Sequence, residues 1–149
     1  MKALIQRVQH AAVVVDDETI GKIGQGFLIL LGVTHADDAS NAATLATKTA
    51  NLRVFQDDDG KMNRSLCDVD GEVLVISQFT LYADTRKGNR PSFVRAADPD
   101  LANALYEHYI AELRNLLSQD RVSTGRFAAD MKVSLLNDGP VTIELNTDH

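Results

Sequence analysis

Apolar and polar positions divide the chain into strand-like and helix-like stretches. Residues 3 to 15 read as a strand rich in β-branched and aliphatic side chains, and a second apolar run, Phe27 to Val33, follows Gly21, Gly24 and Gly26. From Asp38 to Leu52 the period changes. Ala42, Leu45, Ala46, Thr49 and Ala50 recur every three or four residues, which predicts a helix with a small, closely packing face. Asp57, Asp58, Asp59 and Gly60 then form a polar turn. Glu72 to Leu81 is nearly continuous in apolar residues and of strand length, which predicts a strand buried on both faces or lying at an interface. Asp98 before Pro99 supplies an N-cap and a first-turn residue. Leu101, Leu105, Tyr109, Leu113 and Leu116 then make a helical stripe to about Ser118. Met131, Val133 and Leu135 alternate with polar residues, as do Val141, Ile143 and Leu145, and Asn137-Asp138-Gly139-Pro140 stands between the two sets, so the chain is expected to close with two strands.

Strand runs interrupted by only two helices predict an α/β (α+β) domain with a mixed, largely antiparallel sheet covered by the helices on one side. No internal repeat, low-complexity tract or linker breaks residues 1–149, so one domain is expected. Chains of this length bury roughly 68–70% of their unfolded surface. A composition 44% hydrophobic and 24% charged is that of an ordinary globular protein rather than a disordered or fibrous one. The single cysteine, Cys67, can form no internal disulfide and no multi-cysteine zinc site, and the apolar runs fall far short of the roughly 20 residues that span a bilayer. The ten N-terminal residues carry Lys2, Gln6, Arg7, Gln9 and His10, unlike a secretory signal. A cytoplasmic protein with no membrane partner is expected. The tail, Asn146 to His149, carries no recognisable signal and is expected to fray.

Familiar catalytic templates fail. His10, His35, His108 and His149 lack metal-ligand spacing, and Ser77 lacks the flanking glycines of a nucleophile elbow. The glycines at 21, 24 and 26 are in the wrong order for a dinucleotide loop, and no phosphate loop is present, which argues against redox and nucleotide-hydrolysing enzymes. Three polar features remain. Ser77, Gln78 and Thr80 interrupt an apolar strand, where they either bond neighbouring backbone or serve a site. Asn137 to Pro140 reads alone as a plain hairpin turn with a trans Gly-Pro bond. Arg86, Lys87, Arg90 and Arg95 lie on a loop without acidic residues although the net charge is -6, and they form either a solvated face or a grip on a phosphate backbone.

Taken together, Ser77-Gln78-Phe79-Thr80-Leu81, Arg90-Pro91-Ser92-Phe93, Thr124-Gly125-Arg126-Phe127-Ala128-Ala129-Asp130-Met131 and Asn137-Asp138-Gly139-Pro140-Val141-Thr142 resemble the D-aminoacyl-tRNA deacylases of bacteria and eukaryotes, in order, from Met1 to about Leu145. The resemblance implies that family's fold and a cofactor-free homodimer with active sites at the subunit interface. Such an enzyme hydrolyses the ester between a D-amino acid and the 3′ end of tRNA, and also removes glycine; its partner is RNA, not DNA. It implies that the backbone N–H groups around Phe79 and Thr80 receive the ester carbonyl in a site with Ser77 and Gln78. It implies further that Gly139 and Pro140, joined by a cis bond and inserted into the partner subunit's site, reject L-side chains by sterics. Arg7 then braces that loop, Phe127 and Met131 line the pocket for the terminal adenosine, and Arg86, Lys87, Arg90 and Arg95 contact tRNA phosphates. No base stands beside Thr80 in the sequence, so attack by water, assisted by Thr80 or by the adenosine 2′-hydroxyl, is favoured over a covalent Thr80 intermediate. A non-catalytic RNA-binding module and a general small esterase are the competing readings.

Overall fold

The computed structural model describes residues 1–148. Its central sheet is mixed. β1 (Lys2–Val15) is flanked on one side by β2 (Glu18–Ile23) and β3 (Gly26–Gly32) and on the other by β8 (Lys132–Asn146), all antiparallel to it. β3 continues to β6 (Glu72–Ser77) and then to β7 (Val122–Thr124) through parallel pairings. Parallel neighbours need long crossovers. The chain supplies them with α1 (Ala39–Asn51), followed by the small hairpin of β4 (Phe55–Gln56) and β5 (Met62–Arg64), and with α2 (Pro99–Leu116).

α1 starts where the sequence predicts. The Asp38 carboxylate accepts from the backbone N–H of Ser40 and Asn41, and the Asn41 side chain accepts from Asp38 N–H, which satisfies the first-turn donors. Its buried face is the expected Ala42, Leu45, Ala46, Thr49 and Ala50, small enough to let α2 approach closely; the Thr49 and Tyr109 hydroxyls bond across the contact at 2.8 Å. Both helices pack on one face of the sheet over Ile5, Phe27, Ile29 and Val75. The opposite face buries Val8, Ala11, Val13, Ile23, Leu28, Leu74 and Ile76.

Several elements depart from the sequence pattern. The run from Glu72 does not continue as a strand to Leu81: β6 ends at Ser77 and a 3-10 turn, Phe79–Tyr82, follows, with Tyr82 fully buried as its anchor. Asn137–Pro140 is not a hairpin between two closing strands, because the segments on both sides of it pair with β1 and form one long strand, β8. Asp98 stands at the N-cap of α2 without a side-chain capping bond, and the buried stripe of α2 shifts to Leu105, Tyr106, Tyr109, Ile110 and Leu113, leaving Leu116 exposed. The tail does not fray through Asp148. Thr147 N–H donates to the Met1 carbonyl, and the Asp148 carboxylate accepts from the Tyr82 hydroxyl at 2.9 Å; His149 lies outside the described residues.

Candidate active site

The end of β6 builds the site. Gln78 N–H donates to the Leu31 carbonyl at 2.8 Å as the last sheet-like bond, after which the backbone leaves the strand and the 3-10 turn closes through Leu81 N–H to Gln78 O and Ala83 N–H to Thr80 O. Donors in the first turn of such a helix have no intrahelical acceptor. Accordingly, among the described residues the Phe79 and Thr80 N–H groups have no backbone or side-chain acceptor. The Phe79 ring stands 57% exposed beside them. The Gln78 amide donates to Thr80 Oγ1 at 2.5 Å. An amide donor holds that hydroxyl but removes no proton from it.

Beside this turn opens a cavity of about 590 Å³. Ser77, Gln78 and Phe79 form one side, Tyr106 of α2 another, and Phe127 and Met131 a third. The fold thus brings together two motifs about fifty residues apart in sequence. β7 leads into the second of them: Gly125 N–H donates to the Val75 carbonyl at 3.1 Å, and a Cβ on Gly125 would lie 2.6 Å from Met131 Sδ, so a larger residue there would make the Met131 side chain shift. The Phe127 and Tyr106 rings lie 6.0 Å apart, and the Tyr106 hydroxyl donates to the Val75 carbonyl at 2.9 Å. Burial pushes the Tyr106 phenol up to about 12, so it stays neutral. A mostly apolar cavity with aromatic and thioether walls, and two free N–H donors on the turn beside it, suits a flat ring carrying a polar, reactive oxygen.

Gly139, Pro140 and Arg7 do not line this cavity. In the β1–β8 ladder Gln6 pairs with Thr142 and Val8 with Asn137, so Asp138–Val141 bulge out opposite the single residue Arg7. Arg7 is only 6% exposed; its Nε donates to the Asp138 carbonyl at 2.9 Å and its Nη1 to the Val54 carbonyl. Asn137 closes the bulge from within, its side chain accepting from Val141 N–H at 2.8 Å and donating to the Val141 carbonyl at 3.1 Å. The Gly139–Pro140 bond is cis, as the resemblance implies and a plain hairpin would not require. Gly139 has φ 146°, and a Cβ there would meet Val141 at 2.7 Å.

The basic loop is partly committed. Asp84 and Ser92 pair through both backbone bonds and close it; the Arg86 guanidinium donates twice to the Asp84 carboxylate and holds that carboxyl down at about 2. The Arg95 guanidinium sits 5.8 Å over the Tyr82 ring. Lys87 and Arg90 are exposed. Sequence reasoning missed Tyr106, which no local signal marks as a cavity residue; it enters the site only because α2 packs beside β6. It also missed the Asp84 partner of Arg86, which lies just before the stretch that was read as purely basic. Among the described residues no helix is long and apolar enough to cross a membrane, and there is no cluster of three metal-ligating side chains.

Known proteins resemble this chain along nearly its whole length. A D-aminoacyl-tRNA deacylase of Chloroherpeton thalassium is 56% identical over 147 residues, covering 99% of this chain and 96% of its own. One from Idiomarina loihiensis is 59% identical over 145 residues, covering 97% and 99%. Among solved structures, a c-Myc DNA unwinding element binding protein superposes with a TM-score of 0.95 at 40% identity over 100% of both chains. A probable eukaryotic D-amino acid tRNA deacylase, 16% identical, has the same fold, with a TM-score of 0.83 over 97% of each chain. The family described as D-Tyr-tRNA(Tyr) deacylase matches residues 4–146, and this chain belongs to it.

Proposed function

We propose that the protein is a hydrolase that cleaves the ester joining a D-amino acid to the 3′ end of tRNA, accepts glycyl-tRNA and rejects L-aminoacyl-tRNA, so proofreading chirality in translation. The observation that carries this reading is the juxtaposition of the Phe127–Met131 cavity with the free N–H groups of Phe79 and Thr80. The terminal adenosine occupies the cavity, and the ester carbonyl turns toward the two donors, which stabilise the negative charge that develops on its oxygen. Water adds to the carbonyl carbon, the bond to the ribose oxygen breaks, and a proton passes to that oxygen as free tRNA leaves. The contact of Thr80 Oγ1 with a donating amide supports an orienting hydroxyl, with the tRNA 2′-hydroxyl assisting, over a covalent nucleophile. Water, position and two N–H donors suffice, so the reading calls for no cofactor.

The chiral filter in this reading is the Gly139–Pro140 bulge, acting from the partner subunit of a homodimer. Its place opposite Arg7, away from the cavity wall of its own chain, supports action in trans. An L-side chain strikes the braced bulge; a D-side chain points away, and glycine has nothing to strike. Arg86, Lys87, Arg90 and Arg95 contact phosphates without reading bases, as an enzyme serving many tRNAs requires. Such a substrate places the enzyme in the cytoplasm. Multiple-turnover release of D-tyrosine from excess D-tyrosyl-tRNA tests the reading against its competitors. A non-catalytic RNA-binding module releases none, and a general esterase cleaves simple esters equally well.

A further inference from the structure

Phe79 and Phe93 pack edge to face, their ring centroids 5.0 Å apart and their planes at 74°, yet they remain 57% and 37% exposed, and the adjoining Val94 is 74% exposed. Both rings border the cavity. This exposure does not come from a loose segment. Ser92 exchanges two backbone bonds with Asp84, His35 Nε2 bonds the Val94 carbonyl at 2.6 Å, Thr34 Oγ1 donates to the Arg95 carbonyl, and Ala97 N–H donates to the Val33 carbonyl. A contiguous apolar patch held rigidly in water marks a surface with a partner.

We propose that the Phe79–Phe93 pair, with Val94 beside it, is a stacking platform for the unpaired nucleotides that precede the esterified one in the RNA substrate. The proposal rests on the deacylase reading above and extends it beyond the terminal nucleoside. Because both rings border the cavity and stay exposed, they offer a path by which a strand whose last base sits there leaves it. Every base offers a π-face, so stacking there tolerates any sequence. The charge is complementary: with Arg86 paired to Asp84 and Arg95 over the Tyr82 ring, Lys87 and Arg90 remain exposed and free of ion pairs among the described residues, on the same loop as Phe93, as single-stranded nucleic acid requires. The edge-to-face contact fixes each ring against the other and leaves a face open to a third.

The test uses two hydrolysis-resistant, amide-linked probes: D-tyrosyl adenosine, and the same nucleoside preceded by two nucleotides. Affinity of each for the intact protein is measured by fluorescence anisotropy. Wild type should bind the longer probe about tenfold more tightly. Phe93→Ala should weaken the longer probe far more than the short one and so erase most of that difference, and Phe93→Tyr should keep it. Equal binding of the two probes by wild type, or equal weakening of both by Phe93→Ala, would overturn the platform. So would a change of native mass in sedimentation on Phe93→Ala, since the patch would then be covered by a second copy of the chain. Should neither probe bind and D-tyrosyl-tRNA remain intact, the deacylase reading itself fails and the platform falls with it.

Discussion

Replacing Arg7 by Ala tests both the packing of the bulge and its role. The Arg7 side chain is 8% exposed and makes two charge-assisted bonds to carbonyls, one on Asp138 of the bulge and one on Val54. Each such bond is worth about 1.5–3 kcal/mol. The Asp138 carboxylate, 3.9 Å away and 42% exposed, adds little. Removing the side chain leaves the Val54 carbonyl without its donor, so the loss of stability should be about 3 kcal/mol, a large share of a typical 5–15 kcal/mol. Arg7→Lys reaches one acceptor at a time and should lose about half as much. Urea unfolding followed by circular dichroism reads this loss. In the same folded variants, hydrolysis of D-tyrosyl-tRNA should survive better than discrimination against L-tyrosyl-tRNA, because the proposed filter depends on a bulge held in place. An unchanged unfolding midpoint, or a folded Arg7→Ala variant with the wild-type D-to-L rate ratio, would refute the reasoning.

Other outcomes follow from the same geometry. All three tyrosines, Tyr82, Tyr106 and Tyr109, are buried, and burial raises each phenol, Tyr106 to about 12. Native protein should therefore show no tyrosinate absorbance at the ordinary midpoint near pH 10. Because the folded phenols hold their protons more tightly than the unfolded ones, this contribution to stability is whole below about pH 10 and is lost as pH rises towards 12; a normal titration near 10 in the folded protein would contradict it. Gly139→Ala places a Cβ 2.7 Å from Val141 at a φ of 146°, and should cost about 1–3 kcal/mol in thermal or urea unfolding. Arg86, Lys87 and Arg90 changed together to Ala should raise KM for tRNA and flatten its salt dependence while the circular dichroism spectrum and chiral preference stay unchanged; an unchanged salt slope removes the loop from the tRNA path. Thr80→Ala should retain substantial activity, and an acyl-enzyme trapped at Thr80 would contradict that.

The periodic segments were legible because burial follows period: α1 and β3 are where the apolar spacing places them, while α2 keeps Leu105, Tyr109 and Leu113 of the expected stripe and buries Tyr106 and Ile110 in place of its ends. What the pattern could not show was where a buried run stops being a strand. Val73 to Ile76 and the residues Phe79, Leu81 and Tyr82 extend one apolar run, but Gln78 spends its N–H on Leu31 and turns the chain, and a buried Tyr82 replaces strand pairing as the anchor. Asn137–Pro140 carries the local chemistry of a hairpin turn. Whether it makes a hairpin or a bulge depends on a distant partner, and β1, at fourteen residues, is long enough to pair both flanks. The tail is held by Met1 and Tyr82, contacts far apart in sequence that no local signal encodes. For the candidate site, the motifs named candidate residues and the fold showed the meeting of Ser77–Phe79 with Phe127–Met131, while Tyr106 and the Asp84–Arg86 pair emerged only in three dimensions.

The central claim is a D-selective ester hydrolysis. Its most direct test is the pair of single-turnover rate constants for D-tyrosyl-tRNA and L-tyrosyl-tRNA with the purified protein in excess, followed as release of labelled tyrosine. The account predicts rapid release from the D-ester and release from the L-ester no faster than the spontaneous rate; equal release from both, or from neither, would contradict it.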